Sequence, residues 1–253
     1  RGHDGLSGGR GGAALEQIDD CQLDLAAWWA WGRERDWERI VLVGHSMGGV
    51  KSIYATAALQ LSGGSHRPVY LCDSFQGLPK PRVGSWRARS DSVYHAQKLG
   101  VGGSGQVLQN FDAYGVNRSQ VQVVEGFFVN TMPGLRKKLV ERDERLAILR
   151  LDGDMYDSTA DVLYHLYDRV QVGGYVIVDD FGWRSKLSFG ARDAIMDFRQ
   201  LHGIEDDAHA IRNIDFGDFT PHEGDSRDGG PHRVGNVVLW EPAGCHLVEQ
   251  GRE

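Results

Sequence analysis

Seven short apolar runs, at about 40–43, 68–72, 121–124, 145–151, 174–178, 209–214 and 234–240, recur along the chain. Most are separated by stretches with helical periodicity, which is the pattern of a parallel sheet wrapped by helices. Between residues 157 and 170, for example, Val162, Leu163, Leu166 and Val170 fall on one helical face, and Asp157 or Ser158 can cap its start. The last two runs are joined by "DFGDFTPHEGDSRDGGPHR", a polar, glycine-rich connection without a helix. The seventh strand is therefore expected to run antiparallel to its neighbour.

A length of 253 residues allows one large α/β domain or two small ones, and 41% hydrophobic with 25% charged residues supplies an ordinary globular core. The net charge of −7 offers no basic face for phosphates. That argues against a nucleic-acid partner and for bound cations and small neutral or cationic ligands. The three cysteines, Cys21, Cys72 and Cys245, are far apart and form no C-x-x-C pair, so a reducing cytoplasm is expected. No apolar run approaches the roughly 18 residues of a bilayer span, which argues against a membrane partner. Self-association as a homo-oligomer is left open by these features.

The run at 40–43 leads into "GHSMGG", which satisfies G-x-S-x-G between a strand and a helix, the setting a nucleophile elbow requires. With "RGHDG" and "IDDCQLDLAAWWAWGRERDWERIVLVGHSMGGVKSIYATA", residues 1–58 resemble a fragment of an α/β-hydrolase with Ser46 at its elbow. No acid of a triad is recognisable downstream, and His232 and His246 read as surface or loop histidines. The serine is then idle, in a strand-turn-helix unit that serves another sheet.

The character changes after "LSGGSHRP". The segments "VYLCDSFQGLPKP", "VVEGFFVNTMPGL", "LAILRLDGDMYDSTADVLYHLYDRVQVGGYVIVDDFG" and "ARDAIMDFR" closely resemble the macrocin O-methyltransferase family from about Pro68 to Trp240. The resemblance implies a class I, Rossmann-like α/β fold: a seven-stranded, mostly parallel sheet with an antiparallel last strand and helices on both faces. It also implies S-adenosylmethionine as methyl donor and a sugar hydroxyl as acceptor. Residues 1–58 then supply the first strand, turn and helix, and residues 59–253 form the methyltransferase domain.

Asp152 follows one apolar run, and Asp179 with Asp180 ends the next, so all three stand where open α/β sheets bind ligands. If those strands are neighbours, as the resemblance implies, the carboxylates converge as hard ligands suited to Mg²⁺; otherwise they form a solvated acidic loop. Asp152 also counts among the cofactor-contacting residues. Asp154 is either the base that takes the hydroxyl proton or a cap of the following helix. Asp73 can accept hydrogen bonds from a ribose or close an Asx turn. The resemblance favours the cofactor role, sets Ser74 and Phe75 beside it, and brings Gly126 and Phe127 near the adenine, although Phe127 also suits a core position.

Gly44, Gly48 and Gly49 give a tight first turn whose amides can approach a ligand, but no carboxylate stands beside them to meet the cofactor's amino group. The expected function is Mg²⁺-assisted methylation of a sugar hydroxyl on a glycosylated small molecule. The alternatives are a serine esterase using Ser46 and a fusion remnant with an impaired cofactor pocket.

Overall fold

The computed structural model describes residues 40–44, 49–85, 91–92, 103–179, 181, 190–204, 211–213 and 238–240. Ser46, His232 and His246 lie outside the described residues. The strands are β1 (Ile40–Gly44), β2 (Val69–Asp73), β3 (Val121–Glu125), β4 (Leu146–Asp152), β5 (Val170–Val178), β6 (Ile211–Asn213) and β7 (Val238–Trp240). The helices are α1 (Val50–Leu61), α2 (Ser104–Ala113), α3 (Phe128–Glu141), α4 (Tyr156–Leu166) and α5 (Gly190–Leu201). The strands pair in the order β3-β2-β1-β4-β5-β7-β6. The first five are mutually parallel, and β7 runs antiparallel to both β5 and β6.

Every residue of β2 and of β4 is buried, as a parallel strand covered on both faces must be. Side-chain alternation divides them between two apolar clusters. Tyr70 and Cys72 of β2, with Leu149 and Leu151 of β4 and Val176 and Val178 of β5, pack against α3, α4 and α5 through Met132, Leu135, Leu163, Leu166 and Ile195. Leu71 faces the other way, onto Ile53 of α1 and Val107 and Phe111 of α2. Gly49 makes that second layer fit: it holds φ 87° at the start of α1, and a Cβ there would stand 2.3 Å from Val107 Cγ1.

Helix α4 departs from expectation at both ends. Its N-cap is Met155, which gives no side-chain cap, and Asp157 and Ser158 lie inside the first turn. The cap comes from far away in sequence: the Tyr156 amide donates to Oδ2 of the buried Asp91 at 3.1 Å. At the other end the helix tightens into a 3₁₀ turn at Tyr167–Arg169, and Val170 opens β5 instead of extending the helical face. Among the described residues no helix is long and apolar enough to cross a membrane.

Leu149 is fully buried at the centre of β4. Leu149→Ala is expected to cost about 2–5 kcal/mol of unfolding free energy, measured by urea titration, with the spread set by how far the cavity collapses.

Candidate active site

The parallel register levels the strand ends. Gly44 stands opposite Asp152, and Asp73 opposite Glu125. Because β1 is flanked by β2 on one side and β4 on the other, the chain leaves these strands in opposite directions, and a crevice opens outside their carboxyl ends. A pocket lies there, lined by Asp73, Ser74, Gly77, Leu78, Pro79, Phe127, Phe128, Asp152, Gly153 and Ser158. Of the residues marked in the sequence, it brings together Asp73, Ser74, Phe127 and Asp152.

Its β2 wall is a closed turn. Asp73 Oδ1 accepts from the Phe75 amide at 2.8 Å, and the Ser74 hydroxyl donates to the Gly77 carbonyl at 2.7 Å while accepting from the Gln76 amide at 3.1 Å. Asp73 thus closes an Asx turn and also lines the pocket with its buried carboxylate. Phe75, at φ 55°, sends its ring into the apolar cluster of Ile53, Val107 and Phe111, so any contact with a ligand falls to its backbone. Gly126 ties β3 to this turn by donating its amide to the Asp73 carbonyl at 2.9 Å. A Cβ on Gly126, whose φ is 138°, would stand 2.8 Å from Thr131 Cγ2, so a side chain there would press on the first turns of α3. The neighbouring Cys72 thiol is pushed far above its usual range by burial and by the Asp73 carboxylate, so it remains a neutral core group.

The β4 side carries the charge. Leu151 pairs with Val178, and the Asp179 amide donates to the Leu151 carbonyl at 2.8 Å, which sets Asp179 beside Asp152 at the ends of adjacent strands. Two carboxylates so placed repel each other, and two cations hold them together. Arg150 is two residues before Asp152 on the same face of β4 and only 4% exposed. Its Nη1 donates to Asp152 Oδ2 at 2.7 Å, and its Nη2 donates to Asp179 Oδ2. Lys51, in the first turn of α1, donates from Nζ to Asp179 Oδ2 at 2.9 Å and stands 3.7 Å from Asp152 Oδ2.

The third expected metal ligand, Asp180, lies outside the described residues. Among the described residues no three His, Cys, Asp or Glu side chains gather as a metal-binding set. The two carboxylates that are described do converge on one place, because both touch the same ammonium and the same guanidinium. Their hard oxygen donors suit a hard divalent cation. Asp154 follows one residue beyond Gly153, with φ 54°, a left-handed conformation that few residues other than glycine adopt. Its carbonyl accepts from the Ala191 amide at 3.2 Å, which fixes the turn against the start of α5.

Sequence reasoning missed Lys51, Arg150, Ser158 and Phe128. Arg150 did carry a signal: an arginine inside the apolar run "LAILRLD" needs a buried acidic partner, and strand alternation puts it on the Asp152 face. Removing it takes away one of the two cations that the described residues bring to the carboxylate pair. Arg150→Met is expected to lower unfolding free energy by about 3–5 kcal/mol, and adding Asp179→Asn should restore part of that loss in a double-mutant cycle measured by chemical denaturation.

Comparison with known proteins places the chain in a lineage. Residues 39–216 match the family model described as macrocin O-methyltransferase (TylF), a match that includes β1 and the residues that follow it. The chain is 35% identical over 194 residues to the 8-demethyl-8-(2,3-dimethoxy-alpha-L-rhamnosyl)-tetracenomycin-C 4'-O-methyltransferase of Streptomyces olivaceus, covering 76% of this chain and 68% of that protein. It is 35% identical over 158 residues to the mycinamicin III 3''-O-methyltransferase of Micromonospora griseorubida, covering 61% of this chain and 58% of that one. Among solved structures, that of the O-methyltransferase NovP superposes with a TM-score of 0.65 at 27% identity, covering 88% of this chain and 80% of its own.

Proposed function

The chain belongs to the macrocin O-methyltransferase family, and on that basis we propose that it transfers a methyl group from S-adenosylmethionine to a sugar hydroxyl of a glycosylated small molecule, assisted by Mg²⁺. The observation that carries this reading is the pocket between the β2 turn, the start of α3 and the end of β4, with a convergent carboxylate pair beside it. In this reading residues 1–58, hydrolase-like in sequence, supply β1, its turn and most of α1, while residues 59–253 form the methyltransferase domain. The cytoplasm is the compartment assigned to it.

The cofactor supplies an electrophilic methyl group on a sulfonium. The chain's own work is to hold and orient. Asp73 accepts from the ribose hydroxyls through the carboxylate that lines the pocket, with Ser74 and the Phe75 backbone beside it. Gly126 and Phe127 would border the adenine, and Gly44 would contact the methionine portion. Asp152 meets the cofactor at the junction between pocket and carboxylates.

Asp152, Asp179 and Asp180 would hold the Mg²⁺, which when bound would make the acceptor hydroxyl more acidic. Asp154 would take the hydroxyl proton as the oxygen bonds to the methyl group and the sulfonium's carbon–sulfur bond breaks. Its pinned, left-handed backbone suits a group that must be held in one position.

Calorimetric titration with S-adenosylhomocysteine tests the cofactor assignment. Binding supports it, whereas absence of binding together with fluorophosphonate labelling of Ser46 would replace it with an esterase. Asp154→Asn is expected to slow turnover by about 10²–10⁴-fold while metal and cofactor affinities stay near wild type. Asp179→Asn should weaken Mg²⁺ binding and turnover together. Equal loss of metal affinity in both variants would remove the base role from Asp154.

A further inference from the structure

Lys51 is bound into the carboxylate pair more closely than an electrostatic neighbour needs to be. Its ammonium donates to Asp179 Oδ2 at 2.9 Å and stands 3.7 Å from Asp152 Oδ2, and its side chain is 12% exposed. With Arg150 it brings two positive charges to two negative ones, so these four side chains sum to zero formal charge. Arg150 is held within β4, two residues before Asp152 in the same strand. Lys51 comes from helix α1, at the end of a flexible four-carbon stem, and can withdraw without any strand moving.

We infer that the Lys51 ammonium is a resident cation that occupies the divalent-ion position between Asp152 and Asp179, so that Mg²⁺ binds only by displacing it. The inference rests on the proposed Mg²⁺ site and adds the residue of this chain that sets its affinity. An incoming ion must break the Lys51–Asp179 hydrogen bond and accept a positive neighbour a few ångströms away, and both weaken binding. Lysine suits this role because its charge is a compact point on a mobile stem, whereas a guanidinium forked between the two carboxylates would be harder to dislodge.

The test is titration of the full-length protein with Mg²⁺ by calorimetry, and with Mn²⁺ by water-proton relaxation, at one fixed pH. Lys51→Met, which keeps much of the stem and removes the charge, is expected to bind either ion at least about tenfold more tightly than wild type. Lys51→Arg keeps the charge and should show no such gain. Adding Asp179→Asn to Lys51→Met should abolish it. In the wild-type protein the NMR signal of the Lys51 Cε methylene should shift as Mg²⁺ saturates the site, a readout that needs no variant to fold. Equal or weaker ion binding by Lys51→Met, or an unmoved Lys51 signal at saturation, overturns the inference while leaving the metal site standing. Absence of ion binding in wild type and Lys51→Met alike overturns the metal site itself, and the displacement with it.

Discussion

Two carboxylates forced side by side by strand register set the terms for the rest of this site. Asp152 and Asp179 stand at the ends of neighbouring parallel strands, so neither can move away from the other without breaking the pairing of β4 and β5. Their repulsion is met from two directions, by Arg150 in the same strand and by Lys51 in the helix that follows the first turn. The second contact also positions α1. A lysine in its first turn, close to the end of β5, joins the first strand-turn-helix unit to the far half of the sheet. Burying such a group is acceptable because each of its charges has a partner.

The division of labour across the sheet follows from the same geometry. Odd-numbered residues of β4, Leu149 and Leu151, feed the apolar layer under α3, α4 and α5, while Arg150 and Asp152 point to the α1 side. A single strand therefore carries the larger apolar layer on one face and, beyond the buried Ile148, a charged end on the other, with every one of its residues buried. The β2 turn repeats the economy on a smaller scale: Phe75 anchors the turn in the core, and Asp73, two residues before it, faces the pocket.

Much of this was legible in the residues. The runs at 40–43, 68–72, 121–124 and 145–151 lie within one residue of β1 to β4, because β-branched and leucine-rich stretches bounded by turn formers have little alternative. The carboxyl-end aspartates were legible for the same reason: once a strand is known, its last residue is known. The start of β5 was not, since Val170 also satisfied the helical period of the preceding segment, and only a tight 3₁₀ turn separates the two. The cations were hidden for a different reason. Lys51 is 128 positions from Asp179, and no local pattern announces a contact that depends on which strands become neighbours. Asp91, 65 positions from Tyr156, escaped notice in the same way, so nearby Asp157 and Ser158 drew the capping role on sequence grounds alone.

That distant cap also bears on the order in which the protein is built. Helix α4 has no side-chain cap from its own N-terminal neighbour and takes one from a residue that reaches it only through long-range closure. Until the segment bearing Asp91 arrives, the first turn of α4 has an unmet amide and little reason to stop fraying, and the turn carrying Asp154 just ahead of it shares that looseness. The corner proposed to perform the chemistry therefore depends on a contact made across 65 positions of sequence, and a change at Asp91 would reach it through the first turn of α4.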